Sequence, residues 1–311
     1  MLEKSSSIVS DTIIYDFEDA VAPSQKIPAR TLLSQFLQNL SRRPTSEIAV
    51  RINPTRSSLF LEDISSVVAM PQVQTIVLPK VHERLDLERL DQVLRGTGRS
   101  FSIIASIESA RAIWNIGEIA GWRSSTGSAA VSALLFAAED YCADTSIIRT
   151  RSRTELLYAR SHVVNAAKAF GLHAIDMVCV NYKDVDYLRE ECEDGRRLGF
   201  DGKVRDAPFY CWSDSFNVEL IEQQAIHPSQ VQVIQGTFVP SGKEILRAAR
   251  IIAKMDEAYI QNKGAFGLDN PNGASAASET EMIDEPMVKQ ARKTLERARR
   301  AGLVIPDVSA T

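Results

Sequence analysis

Short, nearly unbroken apolar runs alternate along this chain with stretches in which apolar residues recur at helical spacing. The candidate strands are Thr12–Asp16, Glu47–Arg51, Thr75–Pro79, Phe101–Ile107, Ser132–Ala137, Ala174–Val180 and a short one near Ala225–His227. Ile, Val and Leu dominate them, as expected where both faces of a parallel sheet are covered. Between them, Gln25–Leu40, Leu85–Arg95, Arg151–Phe170 and Tyr182–Leu198 read as helices. Strand–helix alternation repeated this often implies parallel βαβ units, in a doubly wound sheet or a closed barrel.

The residues that end the strands separate those two architectures. No GxGxxG follows a strand and no GxxxxGK[ST] occurs, so the nucleotide signatures of doubly wound sheets are missing. Instead Asp16, Glu18 and Asp19 close the first run, Arg51 the second and Lys80 the third. Glu108 closes the fourth, Asp140 the fifth, and His227 follows the last. Any one of these taken alone is explained as a cap or loop start. Many strand ends carrying both signs of charge are better explained by one pocket at the C-terminal rim of a (β/α)8 barrel. Residues 1–262 are therefore assigned to a TIM (β/α)8 barrel and 263–311 to a flexible loop and a helix. Asp269–Thr280 is rich in Asn, Ser, Ala and Gly and reads as a mobile loop. The basic helix begun by Pro286 has sparse apolar positions, which places it on a surface or against another subunit.

Composition narrows the function classes. The 311 residues are 44% hydrophobic and 24% charged, ordinary for a soluble globular chain. A net charge of -4 offers no attraction for nucleic acid or an anionic membrane. No apolar run approaches the roughly 18 residues of a membrane helix. The cysteines Cys142, Cys179, Cys192 and Cys211 are scattered without CxxC, and read as reduced thiols of an intracellular protein rather than zinc ligands.

Glu108 in SIESAR and Asp140 in FAAEDY end adjacent strands, close enough to share an ion. Two carboxylates without His or Cys are hard oxygen ligands, which points to Mg2+ completed by water and substrate oxygens. Such an ion would clamp a 2-oxo acid and stabilise a developing enolate or alkoxide. The planar fork of Arg51 suits a substrate carboxylate or carbonyl oxygen, which lysine would hold less well. In DFEDAV, Asp16, Glu18 and Asp19 orient Arg51 or metal-bound waters, with capping as the alternative for Asp19. Lys80 contacts a phosphate or pairs with that cluster; a Schiff base there would be redundant beside a metal. His227 reads equally as a loop-fixing histidine ahead of a proline.

The segments YDFEDAVAPSQK…AR, AVRIN, VLPKV, SIESAR, FAAEDY.AD, GFDGK, AIHPSQ, KGAFGLD and MIDEP resemble, in order and over nearly the whole chain, the citrate lyase β-subunit-like family of CoA-ester lyases. The resemblance implies a TIM barrel, usually trimeric, with Mg2+ on Glu108 and Asp140 and the oxo acid on Arg51. It implies acid–base work on the acyl-CoA for Asp284 of the MID motif. The expected substrates are an acyl-CoA and a small 2-oxo acid, as in cleavage of malyl-CoA or citramalyl-CoA to acetyl-CoA plus glyoxylate or pyruvate. Citrate lyase itself acts on a carrier-bound thioester. A metal-dependent aldolase acting on free 2-oxo acids and a non-catalytic barrel subunit are the alternatives. Relatives occur in mitochondria, so mitochondrial and cytoplasmic locations both stay open.

Two departures from the family pattern stand out. Its members open with a strand like LLYVPG and a helix leading into a segment like RMLEKS, whereas this chain starts at Met1-Leu2-Glu3-Lys4-Ser5. Barrel strand one is therefore expected to be lacking, with two sheet edges left unpaired. Between GFDGK and AIHPSQ lies Val204–Gln223, whose removal restores GFDGKQAIHPSQV. It reads as an in-frame retained intron, with a lid loop on the catalytic face as the alternative.

Overall fold

The structure, a computed structural model, describes residue 2 and residues 10–39, 46–181, 184–203, 228–260, 264–269 and 280–308. It separates into two compact units, Met1–Ile234 and Gln235–Thr311.

In the first unit, seven parallel strands lie side by side in chain order: β1 (Thr12–Asp16), β2 (Glu47–Arg51), β3 (Thr75–Leu78), β4 (Phe101–Ile107), β5 (Ala129–Phe136), β6 (His173–Asp176) and β7 (Gly202–Lys203). The helices between them are α1 (Lys26–Gln38), α2 (Phe60–Val68), α3 (Arg84–Leu94), α4 (Ala110–Trp114), α5 (Ile116–Ala120), α6 (Ala138–Thr145), α7 (Leu157–Ala169) and α8 (Val185–Leu198). The sheet curls into a half-barrel. Ile14, Ala49, Val77, Ile104, Ala133 and Leu135, drawn from five strands, form one buried cluster on its concave side, joined by Ala137, Ile175 and Val178.

Strand periodicity turns this cluster into layers. Side chains two residues apart share a face, so the residues two positions before and two positions after a cluster member line the same interior. Below it, Thr12 donates to Glu47 at 3.2 Å and Thr75 donates to the other oxygen of the same carboxylate. Above it, at the C-terminal ends, come Asp16, Arg51 and Ser106. In β5 the alternation is adjusted by a bulge: Val131 faces Ile103 and Ala133 faces Ile104, leaving Ser132 as the extra residue. That insertion reverses which β5 residues point inward and brings Leu135 and Ala137 into the interior.

Six expected strands are present, within a few residues. The run expected over Thr75–Pro79 stops at Leu78, before a proline that has no N–H for the ladder. The run over Ala174–Val180 shortens to His173–Asp176, because its neighbour β7 has only two residues to pair with. β7 itself was not foreseen; two residues carry no readable alternation. The segment near Ala225–His227 and Val204–Gln223 lie outside the described residues.

In the second unit, α10 (Gly242–Ile260), after α9 (Pro228–Phe238) at the division between the units, packs on α11 (Glu285–Arg300) beside an antiparallel pair, β8 (Phe266–Asp269) and β9 (Thr280–Ile283). The basic helix, expected on a surface or against another subunit, is exposed over most of its residues and packs one stripe within its own unit. Its Val288, Ala291, Leu295 and Ala298 are spaced as one stripe and are buried against Ile245, Ala248, Ile251 and Met255 of α10. The stripe is thin because half of it is alanine, which allows close helix approach. The boundary expected at 262/263 accordingly differs from the division at 234/235, since α10 packs with the C-terminal helix. Among the described residues Cys142, Cys179 and Cys192 are free and buried, and no helix is long and apolar enough to cross a membrane.

Candidate active site at the strand ends

Asp16 and Arg51 are register partners on neighbouring strands and face the same interior. Arg51 Nε donates to Asp16 Oδ1 at 2.8 Å and Nη2 to Oδ2 at 2.6 Å, a two-point pairing that fixes the guanidinium plane. The same carboxylate accepts the N–H groups of Glu18 at 2.8 Å and Ala20 at 3.0 Å. Burial alone would raise the Asp16 pKa, but Arg51 and these N–H groups together hold it below the ordinary aspartate value. Arg51 therefore presents a fixed positive charge at the rim, and its Nε also lies 3.6 Å from Glu18.

The turn after β1 is held from beneath by a buried polar network. Lys26 Nζ donates to the carbonyls of Phe17 at 2.6 Å and Glu18 at 2.7 Å, and to Asn53 Oδ1 at 3.1 Å. Asn53 Nδ2 donates to Phe17 O and to Asp63, and Arg30 Nε reaches the other oxygen of Asp63 at 2.7 Å. Replacing Lys26 by Met removes a charged donor from three buried oxygens. It is expected to cost about 2–4 kcal/mol of stability in urea denaturation; a loss near zero would mean water takes the ammonium's place. Sequence reasoning missed these supports, although Lys26, Arg30 and Asn53 lie inside the motifs quoted above. Polar residues of a motif that do not end a strand were the available signal.

Glu18 extends from this turn to Lys80 Nζ at 3.0 Å, with Asp19 3.7 Å from the same nitrogen. Of the two environments foreseen for Lys80, the structure shows pairing with the acidic cluster. Lys80 also adopts a left-handed backbone, φ 52°. That conformation aims its N–H at Glu108 Oε1, 2.6 Å away, while Ser106 Oγ donates to Oε2 at 2.7 Å. Lys80→Gly tolerates this backbone, whereas the branched side chain of Lys80→Val does not. The valine variant is expected to be less stable than the glycine variant by about 1–3 kcal/mol. Equal denaturation midpoints would mean that the loop relaxes freely.

Glu108 is buried, and desolvation is the main reason its pKa is pushed up to about 7; Ser106 opposes the shift, and Asp140 and Glu18 add to it. Asp140 stands in the first turn of α6, open to solvent. Desolvation at the mouth raises its pKa, Lys80 and Arg51 lower it, and Asp19 and Glu139 raise it. Asp16, Glu18, Asp19, Glu108 and Asp140 thus share one mouth, where among the described residues Arg51 and Lys80 are paired counter-charges and Lys26 acts on the cluster from beneath. Such an excess of carboxylate oxygen, without sulfur or imidazole, suits a hard divalent cation. Among the described residues no three His, Cys, Asp or Glu side chains could hold a metal by themselves. An ion here would rest on two carboxylates, with water and substrate oxygens completing its shell.

Asp284 lies in the second unit, exposed, as the N-cap of α11, where its side chain accepts the Met287 N–H at 3.4 Å. His227 lies outside the described residues.

The sequence profile of the HpcH/HpaI aldolase/citrate lyase family matches residues 1–208. The chain belongs to this family. As a member of the HpcH/HpaI aldolase/citrate lyase family it is 30% identical to the citrate lyase subunit beta of Leuconostoc mesenteroides subsp. cremoris, over 98% of this chain and 91% of that one. It is 29% identical to the mitochondrial citramalyl-CoA lyase of Homo sapiens, over 94% of this chain and 80% of the relative. In three dimensions it is similar to CitE of Mycobacterium tuberculosis in complex with magnesium, acetoacetate and coenzyme A. The TM-score is 0.69 at 26% identity, over 95% of this chain and 91% of that one. Membership of the HpcH/HpaI family makes carbon–carbon lyase chemistry the class of activity.

Proposed function

We propose that the chain is a Mg2+-dependent lyase that cleaves, or in reverse forms, a 3-hydroxyacyl-CoA such as malyl-CoA or citramalyl-CoA. The products are acetyl-CoA and a 2-oxo acid. The observation that carries this reading is the shared mouth in which Arg51, locked by Asp16, faces the Glu108–Asp140 carboxylates. The names of the human relative and of the CitE complex agree with it.

Glu108 and Asp140 would hold Mg2+, which when bound supplies Lewis acidity toward the oxygens of the oxo-acid portion. Arg51 binds the carboxylate or keto oxygen and offsets charge that grows there, without reorganisation because Asp16 has already oriented it. Asp16, Glu18 and Lys80 complete the substrate pocket, Glu18 and Lys80 neutralising each other at its wall. In cleavage the substrate hydroxyl loses its proton to a base, and the bond from the carbinol carbon to the thioester α-carbon breaks. The electron pair remains as a thioester enolate. Protonation at the α-carbon gives acetyl-CoA, and Asp284 is assigned to that proton exchange. A homotrimer is the proposed assembly.

Thioester cleavage on malyl-CoA and citramalyl-CoA, with Mg2+ and with EDTA, tests the reading; cleavage abolished by EDTA is expected. The family name also covers aldolases, and turnover of CoA-free substrates alone would move the assignment to a metal-dependent aldolase on free 2-oxo acids. The chain as written should be assayed beside a version without Val204–Gln223. Activity confined to the shortened version would favour a retained intron over a lid loop, and transcript reads lacking the segment would settle it.

A further inference from the structure

Asp140 is flanked on its own short helix by two acids that the proposed reaction does not use, and each is tied to a different part of the barrel rim. Glu139, in the first turn of α6, accepts from Nη1 of Arg149. Arg149 is nearly enclosed, its side chain 9% exposed, in the loop that follows α6. Its Nη2 donates to Glu191 Oε1 at 2.6 Å and reaches the carbonyl of Val178, just beyond β6, at 3.4 Å. Glu191 is fully buried on α8, and its other oxygen lies 3.1 Å from Nζ of Lys203, the last residue of β7. A continuous set of charges thus joins the ends of β6 and β7 to the first turn of α6. On the opposite side, Asp144 accepts the N–H of Ala110 at 2.8 Å, and Ala110 opens α4 two positions after Glu108.

Helix α6 has eight residues, of which Ala138, Tyr141 and Cys142 are buried. So short an element has little intrinsic stability and takes its position from tertiary contacts. A surface Arg–Glu pair would contribute little. Here Arg149 is already immobilised by Glu191, so its pairing with Glu139 constrains the helix rather than following it. The two ties act at opposite ends of α6, and Asp140 lies between them.

We infer that Arg149, through Glu139, and Asp144, through the Ala110 N–H, are positioning residues that set the placement of the Asp140 carboxylate relative to Glu108. The inference rests on the reading of Glu108 and Asp140 as the cation-holding pair. It accounts for the remaining acids of the FAAEDY.AD motif. A divalent cation bound by only two protein carboxylates is sensitive to small displacements of either, and outer partners of metal ligands govern affinity for that reason.

The test is Mn2+ binding to the full chain by electron paramagnetic resonance, at a temperature where circular dichroism shows every variant folded. Wild type should bind and Asp140→Ala should not. Arg149→Met and Asp144→Ala are expected to weaken Mn2+ binding by about 10–100-fold. Asp144→Asn, whose amide oxygen still accepts from Ala110, should stay close to wild type. If Arg149→Met does not fold, Glu139→Ala replaces it, because it removes the acceptor for Arg149 while leaving the buried Arg149–Glu191 pair intact; weakened binding is again expected. Wild-type affinity in the Arg149 (or Glu139) and Asp144→Ala variants, beside loss in Asp140→Ala, would overturn the inference. So would equal losses in Asp144→Asn and Asp144→Ala. Wild type and Asp140→Ala behaving alike would instead remove the cation pair itself, and the inference with it.

Discussion

Asp140→Ala is expected to lose Mg2+-dependent turnover by about 10³-fold or more while the protein still folds. A bound divalent ion is worth several kcal/mol of charge stabilisation, and each 1.36 kcal/mol corresponds to about tenfold in rate. The proposed site has only two protein ligands, so removing one halves the protein's share of the shell. Folding should survive because the Asp140 side chain is open to solvent and α6 remains anchored through Glu139 and Asp144. Loss of the Asp140 charge also removes one like charge acting on Glu108. Steady-state cleavage at several Mg2+ concentrations, alongside a thermal melt, checks both halves of the expectation. Retained activity with an unchanged Mg2+ requirement would mean that the cation sits elsewhere.

Arg51→Lys is expected to lower turnover by about 10²-fold, with stability changed far less. Charge is conserved, so a purely Coulombic role would survive the substitution. What disappears is the two-point pairing: Asp16 grips Nε and Nη2 of the fork together, and an ammonium offers no such plane. Lysine would turn toward Asp16 and Glu18 as a point charge and no longer present oriented donors to the substrate. Asp16→Asn supplies the complementary measurement. It should reduce turnover through the same loss of orientation with the guanidinium still present. A near-normal rate in Arg51→Lys would show that orientation is not what Arg51 contributes.

Much of this was readable from the order of residues. Seven strand-end polar residues, Asp16, Glu18, Asp19, Arg51, Lys80, Glu108 and Asp140, converge on one mouth because the C-terminal ends of neighbouring parallel strands lie side by side. Asp16 and Arg51 are the clearest case, ending two apolar runs and meeting in register. Lys26, Asn53 and Asp63 escaped notice because their function is local support. A buried lysine that donates to two backbone carbonyls has no spacing that distinguishes it from a surface lysine. The left-handed backbone at Lys80 was hidden for a similar reason, since only the tertiary position of Glu108 gives its N–H a target. The packing of the C-terminal helix on α10 was not foreseen because alanine is a weak hydrophobic signal, yet it is what lets α10 and α11 approach closely.

Alternation of apolar runs, the strand-end charges and the ordered motifs were enough to determine the class of fold, the family and most of the residues around the mouth. These are properties of period and identity, which the chain carries locally. Which partner each charge finds was decided only in three dimensions: Arg51 with Asp16, Lys80 with Glu18, and Arg149 between Glu139 and Glu191. Those pairings join residues far apart in sequence, and their geometry depends on strand register, a bulge at Ser132 and the burial that makes an unpaired charge costly.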